Sequence, residues 1–185
     1  YKRQVQHSSK SLVAIVMPAL NAAKTIEAAV DSVRRQSFSN WHLIVVDNGS
    51  ADATPQIAVN LAQADHRVRF TRELQSGVSA ARNHGIAESQ APFIAFIDAD
   101  DLWLPQKLSE QLASLDDNPD VGGVISLLDR FTTSTQFRFA HTRNIPDRIT
   151  LDELLVNNVT GNGSNLMIWR EALDKVGGFN PNLQG

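Results

Sequence analysis

Three carboxylates fall within four residues, at Asp98, Asp100 and Asp101, directly after the apolar run "PFIAFI". Like charges this close repel and raise one another's pKa, so the cluster must be solvated or offset by a cation. Mg2+ and Mn2+ take hard oxygen ligands, and one or two protein carboxylates with substrate phosphates form a recurring arrangement. A solvated turn whose aspartates cap the next helix fits the same residues. Two other chemistries are excluded by position. A calcium loop starting at Asp98 needs glycine sixth and glutamate twelfth, and the chain has Trp103 and Ser109 there. A phosphoryl-aspartate site of the D-x-D-x-T type needs threonine or valine where Leu102 stands.

Two further polar clusters fit a nucleotide ligand. Asp47 and Asn48 close the run "WHLIVV" and precede Gly49. Such side chains can meet the edge of a base, or can build an Asx-turn. Arg82 and Asn83 lie in "GVSAARNHGI". An arginine there suits a diphosphate or a ribose, or a surface ion pair.

The elements that must carry these residues alternate. Strands are expected at 12–18, 41–47, 67–72, 92–98 and 121–131, and helices at 54–64, 76–89 and from Pro105 to about Asp116. Asn21 is placed to cap a helix reaching about Ser37, with Ile26, Ala29, Val30 and Val33 on one face. The alternation predicts an α/β fold, a largely parallel sheet with helices on both faces. Ligands then bind beyond the carboxyl ends of the strands, where Asn21, Asp47–Asn48 and Asp98–Asp101 all fall. After residue 132 the pattern fades. "LDELLVNN" reads as a short helix, and "GNGSNLMIWREALDKVGGF" as a turn, a strand and a helix ended by Gly177–Gly178.

Composition sets bounds on function. The 185 residues suffice for one domain with a substantial core. A net charge of -3 gives no global reason to expect nucleic acid as a partner. No cysteine is present, which excludes disulfides and thiolate metal sites. No apolar run approaches the roughly 18 residues of a membrane span. Residues 1–11 read as a flexible polar tail, and 12–185 as a single domain. Trp41 and Trp103 read as packing residues.

The stretches "VAIVMPALNAAKTIEAAVDSVRRQSFSNWHLIVVDNGSADAT", "GVSAARNHGI", "APFIAFIDADDLWLPQKL" and "KVGGFNPNLQG" resemble, in order and spacing, the family 2 glycosyltransferases of the GT-A fold. The resemblance is dense over 12–130 and returns over 161–185. It implies a nucleotide-binding part at 12–130 and an incomplete acceptor-side part at 131–185. It implies that Pro18, Ala19 and Asn21 line the base pocket and that Asp47 and Asn48 sit beside base and ribose. Asn48 stands where the family often has aspartate, so UDP and dTDP both remain candidates. Arg82 matches a nucleotide contact. Asp98 and Asp100 match the D-x-D motif: Asp100 for a metal, Mn2+ or Mg2+, on the diphosphate, and Asp98 for ribose or metal, with Asp101 a weaker match. Asn162, Ser164 and Asn165 match the donor-sugar and acceptor side, or form a turn before a strand.

The implied reaction is an inverting transfer from a nucleotide-diphospho-sugar to the hydroxyl of a saccharide or lipid-linked saccharide. The implied setting is bacterial cell-surface polysaccharide synthesis, on the cytoplasmic side and near the membrane. The family's base carboxylate follows the "GGFNPNL" stretch, a position past Gly185, which implies a C-terminally truncated chain with weak or no transfer of its own. Asp152, Glu153 and Asp174 could stand in, but each fits a solvent-facing helix position. Two other functions compete. A nucleotidyltransferase would carry a Gly-rich loop after the first strand, where "MPALNAAKTI" has no glycine. A nucleotide-sugar-binding module would lack only the base.

Overall fold

The computed structural model describes residues 12–126, 148–149 and 163–182. Six strands form one sheet: β1 (Val13–Ala19), β2 (Trp41–Asp47), β3 (Val68–Arg72), β4 (Phe93–Phe96), β5 (Gly123–Ile125) and β6 (Leu166–Trp169). Among the described residues five helices cover it: α1 (Ile26–Arg34), α2 (Thr54–Ala64), α3 (Val78–Ala87), α4 (Lys107–Asp117) and α5 (Arg170–Val176). The strand order is β3-β2-β1-β4-β6-β5. β1 to β4 are mutually parallel, and β6 runs antiparallel to both β4 and β5.

The apolar runs form buried strands because both faces of the sheet are covered. Alternate residues feed two cores. Val13, Ile15, Met17, Leu43 and Val45 pack with α1, α2 and α4. Ala14, Val16, Ile44 and Val46 pack with Ala81 and Ile86 of α3 and Leu173 of α5. A Cβ on Gly85 would overlap the Val16 side chain, so α3 lies directly on the sheet only because that residue is glycine.

Two expectations change. Asn21 does not cap α1, which starts five residues later at Ile26. Asn21 takes a left-handed conformation, φ 52°, and its Oδ1 accepts from Ala51 N at 2.8 Å in the next loop. The segment before α1 is tied to the loop after β2: Ala22 N donates to Thr54 Oγ1 at 2.7 Å and Ala23 N to Asp52 Oδ2 at 3.1 Å, and no side chain caps α1 itself. The second change is β6, whose antiparallel direction the alternation did not foretell. The expected strand 121–131 is strand at Gly123–Ile125, and residues 127–131 lie outside the described residues, as do "LDELLVNN" and Asn162. Trp41 and Trp103 are buried as expected.

Candidate functional site

The sheet opens between β1 and β4. Val16 O accepts from Ile97 N of the β4 side at 3.1 Å, whereas Ala19 O accepts from Asn48 N of the β2 side at 2.9 Å. Backbone groups alternate sides along a strand, so Pro18 faces β4 like Val16. Pro18 has no N–H to donate, and β4 pairing has already ended at Val16↔Phe96. Chain order also reverses here. β1 leads to β2 on one side, and the chain returns through α3 to β4 on the other. That is the switch point at which α/β sheets hold ligands.

One wall of the crevice is the pair of loops after β1 and β2. Asn21 N donates to Ser50 Oγ at 2.9 Å, and Asn21 Oδ1 accepts from Ala51, so the two loops are mutually clamped. Asp47 is almost fully buried, and its Oδ1 accepts from Ser50 N at 3.3 Å. Asn48 is committed to the loop after β3. Its Nδ2 donates to Glu73 O at 3.1 Å and Gln75 O at 2.7 Å, and its Oδ1 accepts from Gly77 N at 2.8 Å. Both amide hydrogens are thus used, and one lone pair of Oδ1 is left for any ligand. From the helix side, His84 Nδ1 lies 3.0 Å from Glu73 Oε2, and His84 Nε2 lies 2.9 Å from Thr71 Oγ1.

The other wall carries the acidic cluster. Arg82 Nη2 reaches Asp98 Oδ1 at 3.0 Å. The guanidinium packs against Gly163, where a Cβ would collide with it, and over the Phe179 ring at 5.4 Å. Its Nε is buried and has no hydrogen-bond partner among the described residues. Asp98 N donates to Ser164 Oγ at 2.8 Å. Asp100 is exposed, with no partner among the described residues.

The structure therefore brings Asp98, Arg82 and Ser164 together across 16 and 66 residues of chain. Ser164 Oγ receives the Asp98 amide, and Asn165 is buried, its Nδ2 donating to Ser126 O at 3.2 Å. Asp174 is exposed on α5, on the solvent-facing position expected of it.

Sequence reasoning named Asn83 and Trp103 but not the partners they hold, and it missed Lys107 and Gln111. Asn83 is bonded through both amide atoms to Phe179, Nδ2 to Phe179 O at 2.7 Å and Phe179 N to Oδ1 at 2.9 Å. Trp103 Nε1 donates to Ser164 O at 2.8 Å, and Gln111 Nε2 donates to Asn165 O at 2.7 Å. Lys107 is buried, donates to Gln111 Oε1 at 2.7 Å and lies 4.0 Å over the Trp103 ring. Its signal was the spacing: Lys107 and Gln111 share the stripe of Leu108, Leu112 and Leu115 that α4 buries.

The strand-end crevice, with clamped loops on one wall and an arginine–aspartate pair on the other, is the candidate site of an α/β domain. The family model for "Glycosyl transferase family 2" matches residues 14–177, and the chain belongs to that family. It is 38% identical over 105 residues to "UDP-Glc:alpha-D-GlcNAc-diphosphoundecaprenol beta-1,3-glucosyltransferase WfgD" of Escherichia coli, covering 56% of this chain and 41% of that protein. It is 33% identical over 170 residues to "Putative teichuronic acid biosynthesis glycosyltransferase TuaG" of Bacillus subtilis, covering 90% of this chain and 66% of that one. The fold is similar to S. aureus TarS 1–349 solved with UDP, at TM-score 0.71 and 20% identity over 94% of this chain and 51% of that chain. It is also similar to the mannosyltransferase PcManGT of Pyrobaculum calidifontis solved with GDP-Man and Mn2+, at TM-score 0.70 and 21% identity over 95% and 49%. The chain thus spans between two fifths and two thirds of these proteins. The neighbours share the GT-A fold that the sequence resemblance implied.

Proposed function

We propose that the crevice between β1 and β4 binds a nucleotide-diphospho-sugar, and that the protein transfers the sugar with inversion to an acceptor hydroxyl. The observation that carries this is the pairing of Arg82 with Asp98 at the switch point, beside an exposed Asp100 that has no partner among the described residues. Pro18, Ala19, Asn21, Asp47 and Asn48 form the base and ribose wall, the asparagines by holding the loops that shape it. Arg82 faces the diphosphate with a guanidinium whose donors are only partly used, which suits an anion.

The donor set fits Mn2+ or Mg2+. Asp100 and Asp98 offer hard oxygens, and among the described residues no group of three acidic or histidine side chains makes a closed site. Phosphate oxygens of the donor would complete such a shell. Bound there, the ion would supply charge neutralisation for the departing diphosphate. Asp98 and Asp100 would hold and orient it, and Arg82 would steady the same oxygens. In the transfer, the bond from the anomeric carbon to the diphosphate oxygen breaks as the acceptor oxygen bonds to that carbon. The acceptor proton passes to a carboxylate base, which the resemblance places downstream of Phe179. UDP and dTDP are the candidate nucleotides. Support for a lipid-linked or polysaccharide acceptor comes from the names of the two relatives. Among the described residues no helix is long and apolar enough to cross a membrane. The proposed setting is the cytoplasmic face of the membrane, through its acceptor.

The test is calorimetric titration of the purified chain with UDP and with dTDP, each with and without Mn2+, repeated on Asp100→Ala. Metal-dependent binding lost in the variant is the expected result. A folded chain that binds neither nucleotide would overturn the proposal.

A further inference from the structure

We infer that Lys107 is a positioning residue of the donor site: through Gln111 and Trp103 its side chain holds the Gly163–Asn165 turn against Asp98 and Arg82. The inference rests on the nucleotide-binding reading of that site.

The side chain is 8% exposed, yet among the described residues it has no carboxylate partner. Its neighbours are the Gln111 amide and the Trp103 ring. Desolvation alone draws its pKa down to about 7. A cation buried without an anion weakens a fold, and an apolar residue of the same length would serve packing better. What the ammonium does instead is directional. Nζ donates to Oε1 of Gln111, as ammonium or as amine, and with Oε1 held there Nε2 is turned toward the Asn165 carbonyl. It also lies over the face of Trp103, whose indole N–H holds the Ser164 carbonyl. Two successive carbonyls of one turn are thereby held from α4 and the segment leading into it. The same turn presents Ser164 Oγ to the Asp98 amide and Gly163 to the Arg82 guanidinium. Each link is a hydrogen bond or a close contact, and the chain runs from Lys107 to both groups assigned to the diphosphate.

Groups that orient ligand-bearing residues typically change affinity by about 10- to 100-fold when removed. The test measures UDP–Mn2+ affinity by calorimetry and thermal unfolding at pH 7 for the wild-type chain, Lys107→Met, Gln111→Met and the double variant. Lys107→Met should bind about 10-fold more weakly while unfolding no earlier than wild type, because removing a desolvated charge offsets the lost hydrogen bond. Gln111→Met breaks the next link and should weaken binding similarly. The double variant should be no weaker than the weaker single one, since both act along one path. Affinities within twofold of wild type in both single variants would overturn the inference. So would affinity and unfolding midpoint falling together in Lys107→Met, which marks a general packing role. Failure of the wild-type chain to bind UDP–Mn2+ would instead remove the site reading, and this inference with it.

Discussion

Arg82 and Asp98 stand on different elements, one on α3 and one just past β4, yet their side chains meet at 3.0 Å. The arginine is the more buried of the two, with 15% of its side chain exposed against 27% for the aspartate. The pair closes the gap between the helix and the strand end, where a diphosphate would bring further negative charge. A partly solvated pair contributes about 1 kcal/mol or less to stability. Its value lies in holding Arg82 in place for an anion. Arg82→Ala should weaken UDP–Mn2+ binding by about 10- to 100-fold, matching the about 1.5–3 kcal/mol of a hydrogen bond to a charged group. Arg82→Lys should restore little of it, because an ammonium has no planar fork. Calorimetry on the two variants checks both.

Asn48 is expected to act through a loop. Its three bonds to Glu73 O, Gln75 O and Gly77 N place that loop beside the crevice. Asn48→Ala should weaken UDP and dTDP alike, leaving their ratio within about twofold. Asn48→Asp should do the same, since a carboxylate cannot donate to two carbonyls. A panel of nucleoside diphosphates, with amide exchange over 73–77, measures the outcome. A change in the ratio would mark Asn48 as a direct reader of the base.

Stability should rise with pH through Lys107. Its folded pKa of about 7 lies below the ordinary 10.5, so between these values the unfolded chain binds more protons. The gain is complete above pH 10.5 and is lost as pH falls through 7. Its size is on the order of a few kcal/mol. Lys107→Met should flatten the rise. Asp65 works at the acid end. Its hydrogen bond with Arg67 pulls its pKa down to about 2, so its contribution is present above 3.8 and is lost as pH falls toward 2. Chemical unfolding between pH 5 and pH 10 resolves the Lys107 arm.

Gly85 should tolerate no side chain. A methyl group there meets both Val16 and Val46, on neighbouring central strands. Gly85→Ala should cost about 1–3 kcal/mol despite the better helix propensity of alanine. That lowers the unfolding midpoint by several degrees, read by calorimetric or circular-dichroism melts.

The parallel core was legible because strands buried on both faces become continuous apolar runs, as in "VAIVMPA" and "WHLIVVD". The carboxylates at the end of β4 were legible for the same reason, since an apolar run that stops on charges marks a strand end. The Lys107–Gln111 pair was legible only as a spacing. Local pattern carries no information about which distant group a polar side chain will meet. Asn21 reads as a helix cap until the fold brings Ala51 to its oxygen, 30 residues away. Asn48 reads as a ligand contact or an Asx-turn, and nothing local to it foretells its bonds to Glu73 O, Gln75 O and Gly77 N in the loop after β3. Ser164 reads as a sugar contact or a turn residue, and nothing local to it foretells that its hydroxyl accepts from the Asp98 amide, 66 residues upstream. By itself the sequence determined the strands, their order of appearance, and the acidic and basic residues available to a nucleotide. Only the tertiary structure decided which of those polar groups hold loops and elements to one another. A buried donor or acceptor takes whatever partner packing brings within about 3 Å, and packing is settled by the whole core.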